Sequence, residues 1–292
     1  MQTCDVAVIT PAYRAESTIE RAIRSVMAQT CPPAEMVVVV DGTFDRTAEI
    51  AESLIEDALP TRLIVLTQDN QGAGAARNRA IREASSRWVS FLDADDEWMP
   101  GKLARSLEVA EEGGYCLVGH DGVIRDGDGV EHPNEPSQRF RAAADVYAGL
   151  YRKGFLSTSS VMVERDRVLG LGGFDVGLPT AQDFDLWLKV LGQPEASFKV
   201  FDEVLTRYHV TPGSITSFTR RRLHCTERVA LRHLASLKAK GCPVRANLAF
   251  RLAAIHREAF QAFWRSGARA AALGVLLRLV WSLRHFLKPI VP

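Results

Sequence analysis

The first hundred residues alternate short apolar runs with stretches of helical periodicity. Val6–Ile9 is continuously apolar and reads as a buried strand. After it, Ile19, Ala22, Ile23, Val26 and Met27 fall on one helical face, and Ser17 and Glu20 stand at capping-box spacing ahead of that stripe. Met36–Val40 predicts a second strand and Asp45–Asp57 a second helix. Leu63–Leu66 and Gly74–Ala84 predict a third such pair, and Trp88–Leu92 a fourth strand. Continuous apolar strands alternating with helices predict an α/β fold, a mostly parallel sheet with helices on both faces. Ligands of such sheets bind beyond the carboxyl ends of the strands, so the polar residues just after each strand are the candidates for chemistry.

Beyond residue 100 the pattern is less regular. Pro100 opens a helix to about Glu112, and Cys116–His120 reads as a strand. Gly127–Gln138, rich in Gly, Pro and Asp, predicts a loop. A helix around Ala142–Tyr151, a strand at Ser160–Val163, a helix over Gln182–Leu191 and strands at Lys199–Phe201 and Leu205–Val210 follow. Past Phe218 the pattern is wholly helical, which divides the chain into residues 1–218 and a helical extension, 219–292.

Charge sharpens that division. The chain has 292 residues, 47% of them hydrophobic, enough for one sizeable core and an appendage. The formal charge of +1 hides a split, with residues 1–219 at −12 and residues 220–292 at +13, so the two regions are suited to different neighbours. Residues 259–292 contain no acidic residue. A helix over Leu273–Lys288 places Leu273, Leu276, Val280, Leu283 and Leu287 on one face, with Arg278, Arg284, His285 and Lys288 opposite. That pattern suits an interfacial helix on an anionic membrane surface, or a helix packed on the acidic region or on a second copy. The tail carries no recognisable nucleic-acid reader motif, so no nucleic-acid partner is expected.

The five cysteines are scattered, without CxxC spacing, which suggests neither a zinc site nor a disulfide framework and fits a reduced cytoplasmic compartment. The chain starts without a basic region and runs directly into a strand, so no signal peptide is expected. Arg278 and Arg284 interrupt the longest C-terminal apolar run, so no membrane span is expected either.

Carboxylates cluster at the predicted strand ends. Asp41 closes the second strand, where it can accept a hydrogen bond from a base N–H or form an ordinary Asp-Gly turn. Asp93-Ala94-Asp95-Asp96 closes the fourth strand. Three carboxylates in four residues repel one another unless a cation or solvent intervenes, and a hard divalent cation takes such oxygen ligands; the alternative is an acidic turn ahead of the Pro100 helix. Gln71–Asn78 partly matches GxGxxG, with Arg77 at the last glycine, and reads as a loop and helix start near phosphate or base. Asp183 and Asp185 lie at the start of the 182–191 helix, where local pattern favours capping or dipole roles, although Asp183 at the tip can face a cleft.

Together these segments resemble the family 2 inverting glycosyltransferases, which have the GT-A fold. The matching pieces, in the family's order, are Val8–Glu16, Val40–Asp45, Gln71–Asn78, Phe91–Asp96, Gly172–Asp175 and Gln182–Leu188, and the resemblance covers roughly residues 4–218. It implies that a nucleotide diphosphate sugar is the donor and that Mg²⁺ or Mn²⁺ is the cofactor. Pro11 and Tyr13 would line the base pocket, with Glu16 nearby. Asp41 would bind the base, Arg77 would flank the nucleotide, and Asp93, with Ala94 beside it, would contact the ribose. Asp95 would hold the metal, and Asp183 matches the family's catalytic base. Three departures stand out: Val40 replaces an aspartate, Gln182 replaces a glutamate, and Thr211 falls where the family commonly has a basic residue. His209, two residues earlier, is a substitute metal or phosphate ligand, or simply structural.

The implied reaction is a single in-line displacement in which Asp183 takes the proton of an acceptor hydroxyl. No Gln-x-x-Arg-Trp segment follows the 182–191 helix, which favours transfer of one sugar over processive synthesis. The expected acceptor is a glycan or a lipid-linked intermediate of bacterial cell-surface polysaccharide or glycolipid synthesis, reached at the cytoplasmic face of the inner membrane. Trp98 and Trp187 are candidate acceptor platforms, with core packing the alternative for Trp187. Thr10-Pro11-Ala12-Tyr13 stands where a sugar-nucleotide pyrophosphorylase has a glycine-rich stretch, which argues against that activity. Val40 and Gln182 leave a non-catalytic nucleotide-sugar-binding or scaffold protein as the other reading.

Overall fold

The computed structural model describes residues 3–210 and 219–283. The N-terminal half is a run of strand-helix units: β1 (Cys4–Ala12), α1 (Ile19–Met27), β2 (Pro33–Asp41), α2 (Thr47–Ser53), β3 (Arg62–Gln68), α3 (Ala73–Glu83) and β4 (Trp88–Phe91). Next come β5 (Glu97–Trp98), α4 (Lys102–Gly113), β6 (Leu117–Arg125), β7 (Glu131–Asn134), α5 (Pro136–Arg141) and α6 (Val146–Lys153). A single 3-10 turn, Thr158–Ser160, leads to β8 (Met162–Glu164), α7 (Arg165–Gly170), α8 (Gln182–Gly192) and β9 (Phe198–His209). Four helices finish the described chain: α9 (Thr219–Arg232), α10 (Leu234–Ala239), α11 (Val244–Arg265) and α12 (Arg269–Leu283).

One sheet runs in the order β3-β2-β1-β4-β8-β6-β9-β5, with β7 on the far end of β6. The predicted parallel arrangement holds across β3-β2-β1-β4. Beyond β4 the sheet is mixed: β8 is antiparallel to β4 and β6, β6 and β9 are parallel, and β5 is antiparallel to β9. Side chains alternate between faces along each strand, so the apolar runs divide between two cores. Ala7, Ile9, Val37 and Val39 join one that contains α3, α6, α8 and the C-terminal helices. Val6, Val8, Met36, Val38 and Val40 join the other, under α1, α2 and α4. No described helix is long and apolar enough to cross a membrane.

Several local expectations shift. Ser17 and Glu20 form no capping box; the amides of Thr18 and Ile19 bond the Ala15 carbonyl, and Glu20 pairs with Arg24. The predicted 45–57 helix ends at Ser53. The predicted loop at 127–138 contains β7 and the start of α5, and the helix predicted near 142–151 is α6, which starts at Val146 and is capped by Asp145 through the Ala148 amide at 2.7 Å. The two strands predicted near the end are one, β9, whose register against β6 is irregular around Asp121. That irregularity absorbs extra residues of β9 and carries Arg207 and His209 alongside the far end of β6.

Candidate active site

The ends of β1 and β2 form one wall. Pro11 pairs with Val39 in the sheet, and the chain then turns outward. Tyr13 is 48% exposed, and the Arg14 guanidinium lies 5.2 Å from its ring centre. The turns after β1 and β2 are tied together: the Ala15 amide donates to Thr47 Oγ1 at 2.9 Å, and the Arg46 amide to Glu16 Oε2 at 3.1 Å. Asp45 accepts from Thr43, Thr47 and the Glu16 amide. Burial opposes its charge, yet these hydrogen bonds hold the carboxyl below the usual carboxylate range. Between the turns is a cavity of about 370 Å³ lined by Tyr13, Glu16, Gly42, Thr43 and Phe44. Phe44, to which the sequence reading gave no role, has its ring wholly in solvent at 106% exposure. A larger cavity of about 560 Å³, between α1 and β5, is lined in part by Trp98, but by none of the residues implied for the donor, the metal or the base.

Asp41 is only 2% exposed. Its Oδ1 accepts from Gln68 Nε2 at 2.8 Å and the Gln71 amide at 2.9 Å, and Oδ2 accepts from the Gly72 amide at 2.7 Å. Asp41 therefore fastens the loop that opens α3, and Oδ2 keeps a lone-pair direction for one further donor. Gly42 follows at φ +64°, and a Cβ there would meet the Asn70 amide nitrogen at 2.3 Å. Only glycine lets these two backbones approach so closely.

The loop's partner motif sits against it. Asn78 on α3 brackets Phe174, accepting from its amide and donating to its carbonyl, both at 2.8 Å. The buried Arg77 guanidinium lies 5.4 Å from the Phe174 ring centre and pairs with Asp93 Oδ1. Two motifs a hundred residues apart in the sequence are thus one packed unit. Phe174 and Phe91 pack edge to face against each other, and Trp187 packs on both rings. Trp187 is a core residue. Trp98 is also largely buried, at 2% exposure with its indole N–H on the Ser159 carbonyl, while an edge of it lines the cavity between α1 and β5.

The acidic turn is held from three sides. The Asp96 amide bonds the Asp93 carbonyl, and Arg21 Nη2 donates to the Asp95 carbonyl at 2.6 Å. Asp96 points inward and is buried, accepting from Ser159 Oγ at 2.5 Å and the His209 amide at 3.3 Å. Burial, and then the like charges of Asp93 and Asp95, push its carboxyl well above the usual range. Ala94 is buried, while Asp93 and Asp95 stay half-buried at the surface.

The Thr158–Ser160 turn joins this cluster to the predicted base. Ser159 Oγ accepts from the Asp93 amide at 3.1 Å, and Thr158 Oγ1 donates to Asp183 Oδ2 at 3.1 Å. Asp183 thus sits in the first turn of α8, half-buried, one residue's reach from the acidic cluster, with its Oδ1 on the Phe184 amide at 2.8 Å. Asp185 departs from the capping role read from local pattern. It is fully buried and bonds Arg232, His233 and Lys189, at distances of 2.8–2.9 Å. Partners 47 and 48 residues away gave no local signal of this.

No cluster of three or more His, Cys, Asp or Glu side chains is assembled for a metal among the described residues. The donor set nevertheless fits a hard divalent cation. Asp93 and Asp95 add like-charge repulsion to the burial that raises Asp96, and a cation would relieve that repulsion. His209 Nε2 is buried without a hydrogen-bond partner, 3.5 Å from Glu97 Oε2. Burial and the nearby Arg21 lower its pKa, which favours the neutral, ligating imidazole. Thr211 lies outside the described residues.

Known proteins agree with this architecture. The chain is 30% identical over 223 residues to a Bacillus subtilis (strain 168) protein whose name describes it as teichuronic acid biosynthesis glycosyltransferase TuaG, covering 73% of this chain and 81% of that one. It is 27% identical to UDP-Glc:alpha-D-GlcNAc-diphosphoundecaprenol beta-1,3-glucosyltransferase WfgD of Escherichia coli, covering 73% and 79%. Its fold superposes on mannosyltransferase PcManGT of Pyrobaculum calidifontis, solved with GDP-Man and Mn²⁺, with a TM-score of 0.66 at 18% identity, covering 96% and 76%. Residues 7–166 match the family described as Glycosyl transferase family 2. With the GT-A-type sheet, the strand-end carboxylates and these relatives together, the chain belongs to glycosyl transferase family 2.

Proposed function

We propose that this glycosyltransferase moves one sugar, with inversion, from a nucleoside diphosphate to a hydroxyl of a lipid-linked glycan in bacterial polysaccharide synthesis. The observation that carries this reading is the Thr158–Ser159 pair, which hydrogen-bonds Asp183 on one side and the Asp93–Asp96 turn on the other. A donor diphosphate at the turn then has its anomeric carbon within reach of an acceptor oxygen at Asp183.

In this reading the base rests in the cavity lined by Tyr13, Glu16, Gly42 and Phe44, and Asp41, buried just before Gly42, holds the loop beside it through the Gln71 and Gly72 amides. Arg77 fixes Asp93 toward the ribose. Asp95, with His209 as the second candidate ligand, holds Mg²⁺ or Mn²⁺. A divalent cation there supplies Lewis-acid neutralisation of the diphosphate charge. Asp183 accepts the acceptor's hydroxyl proton as that oxygen attacks the anomeric carbon from the face opposite the leaving group. WfgD, whose name gives a UDP-glucose donor and a diphosphoundecaprenol-linked acceptor, supports this substrate class.

A lipid-linked acceptor would be met at the cytoplasmic face of the inner membrane, and α12 is the surface assigned to that contact in this reading. Leu273, Leu276, Leu277 and Val280 face outward, near exposed Trp264, Arg265 and Arg269. Arg278, opposite that stripe as its spacing predicts, turns inward onto Glu227. Leu287, Arg284, His285 and Lys288 lie outside the described residues, and nothing is described of the Leu283 side chain.

Asp183→Asn tests the assignment. Transfer from UDP-glucose or GDP-mannose should fall by at least roughly a thousandfold, while Mn²⁺-dependent nucleotide affinity stays within about twofold. Turnover at the wild-type rate would refute the base.

A further inference from the structure

The C-terminal helices grip the segment that delivers the base. Arg232, the last residue of α9, donates from Nη1 to Asp185 Oδ2 at 2.8 Å and from Nη2 to Asp175 Oδ2 at 2.7 Å. His233 Nε2 meets Asp185 Oδ1 at 2.9 Å, and Lys189 Nζ lies 2.8 Å from Oδ2. One turn earlier on α9, Arg228 Nη1 donates to the Gly177 carbonyl at 3.2 Å. The held carboxylates bracket Asp183: Asp175 opens the loop before α8, and Asp185 is two residues past the base.

The backbone between them needs holding. Ala181, at the N-cap of α8, has φ +59°, a left-handed conformation that a residue with a Cβ rarely adopts. No side chain caps the helix there. A strained residue at a functional segment persists when its surroundings over-determine it. Here the surroundings are Arg232 spanning both ends and Arg228 on the loop between.

We propose that Arg232, seconded by Arg228 and His233, is a positioning residue for the catalytic base, so that the C-terminal helices complete the active centre. The inference rests on the reading of Asp183 as that base. Without Arg232, buried Asp185 keeps His233 and Lys189 but loses its link to Asp175, and the first turn of α8 can swing.

Full-length Arg232→Gln and Arg232→Lys test this in two ways. Amide hydrogen exchange needs no substrate: in Arg232→Gln the amides of residues 181–185 should exchange at least tenfold faster, with the β1–β4 amides unchanged. Donor turnover with Mn²⁺, using the faster of UDP-glucose and GDP-mannose, should show kcat down at least tenfold, KM within twofold, and partial recovery in Arg232→Lys. A role confined to attaching the tail would lower Tm and leave both readouts at wild-type values well below Tm, which overturns the proposal. If Arg232→Gln does not fold, Arg228→Gln, an exposed position, should still raise exchange at 181–185 at least threefold; wild-type exchange there overturns the proposal. Asp183→Asn with normal turnover would defeat the base assignment itself. An inactive Asp183→Asn beside a normal, folded Arg232→Gln would defeat only the positioning role.

Discussion

Thr158 donates its hydroxyl to Asp183 Oδ2 at 3.1 Å, while the next residue, Ser159, holds the acidic turn. A hydrogen bond to a charged group contributes about 1.5–3 kcal/mol, and each 1.4 kcal/mol is a tenfold rate factor. Thr158→Val keeps the side-chain shape and removes the donor. Its kcat should fall at least about tenfold, with Tm changed by no more than a few degrees. Equal kcat in steady-state assays of the two proteins would separate Thr158 from the base's function.

Lys102 is fully buried, its amine against Ser90 Oγ and 4.0 Å from the Trp98 ring centre, and it pairs with no carboxylate among the described residues. Burial drives its pKa well below the ordinary lysine value. Folding therefore works against the charge on this amine, which the unfolded chain carries freely in water. Lys102→Met should remove that cost and raise stability by about 1–3 kcal/mol, read as a higher Tm in thermal melts. Ser90 keeps its bond to the Val161 carbonyl in the variant. A lowered Tm would contradict the account.

Acid should weaken the fold in two stages. His120 is fully buried and its pKa falls to about 3, through burial and the nearby Lys102. The unfolded chain binds this proton from about pH 6.5 downward, so the stability from neutral His120 is full above that value and is lost as pH falls toward 3. Asp185 and Glu227 sit at about 2; burial opposes their charge, but hydrogen bonds from His233 and Lys189 to the first, and from His256, Arg278 and Ser282 to the second, outweigh it. Their contribution is full above the ordinary carboxylate pKa and drains as pH falls from about 4 to 2. Tm measured from pH 7.5 to 3.5 should begin to drop below 6.5 and steepen below 4.5. His120→Gln should flatten the first stage only.

Membrane contact through α12 is separable from catalysis. Leu277→Asp with Val280→Asp places charges on the outward face without touching Glu227 or Asp185. The unchanged protein should float with phosphatidylglycerol vesicles, and the double variant should stay at the bottom of the gradient while hydrolysing donor at the same rate. Equal flotation would remove α12 from the contact.

Much of this was legible in the chain. Val37–Val40 could hardly be anything but a doubly covered strand, and the carboxylates at Asp41, Asp93 and Asp95 lie where the α/β rule puts ligands. What escaped the reading depended on distant partners. Glu97 and Trp98 are too short a strand to show a period; they exist because β9 lies alongside. Asp185 looked like a first-turn carboxylate because Arg232 and His233 are invisible from residue 185. The strand pattern at Ser160–Val163 gives no hint of Thr158 and Ser159 just before it, whose hydroxyls tie the acidic turn to Asp183. Arg278 lies opposite the leucine stripe as its spacing says, and only the fold shows that its partner is Glu227.

The grip of Arg232 on Asp185 also limits how this enzyme can be re-engineered by exchanging segments with relatives. A chimera that swaps the final four helices alone would leave a carboxylate with no solvent contact short of its guanidinium partner, a defect on the order of 3–5 kcal/mol. Residues 175–185 and the helices that follow β9 are therefore best exchanged as one piece, with the Arg232 contacts to Asp175 and Asp185 kept intact.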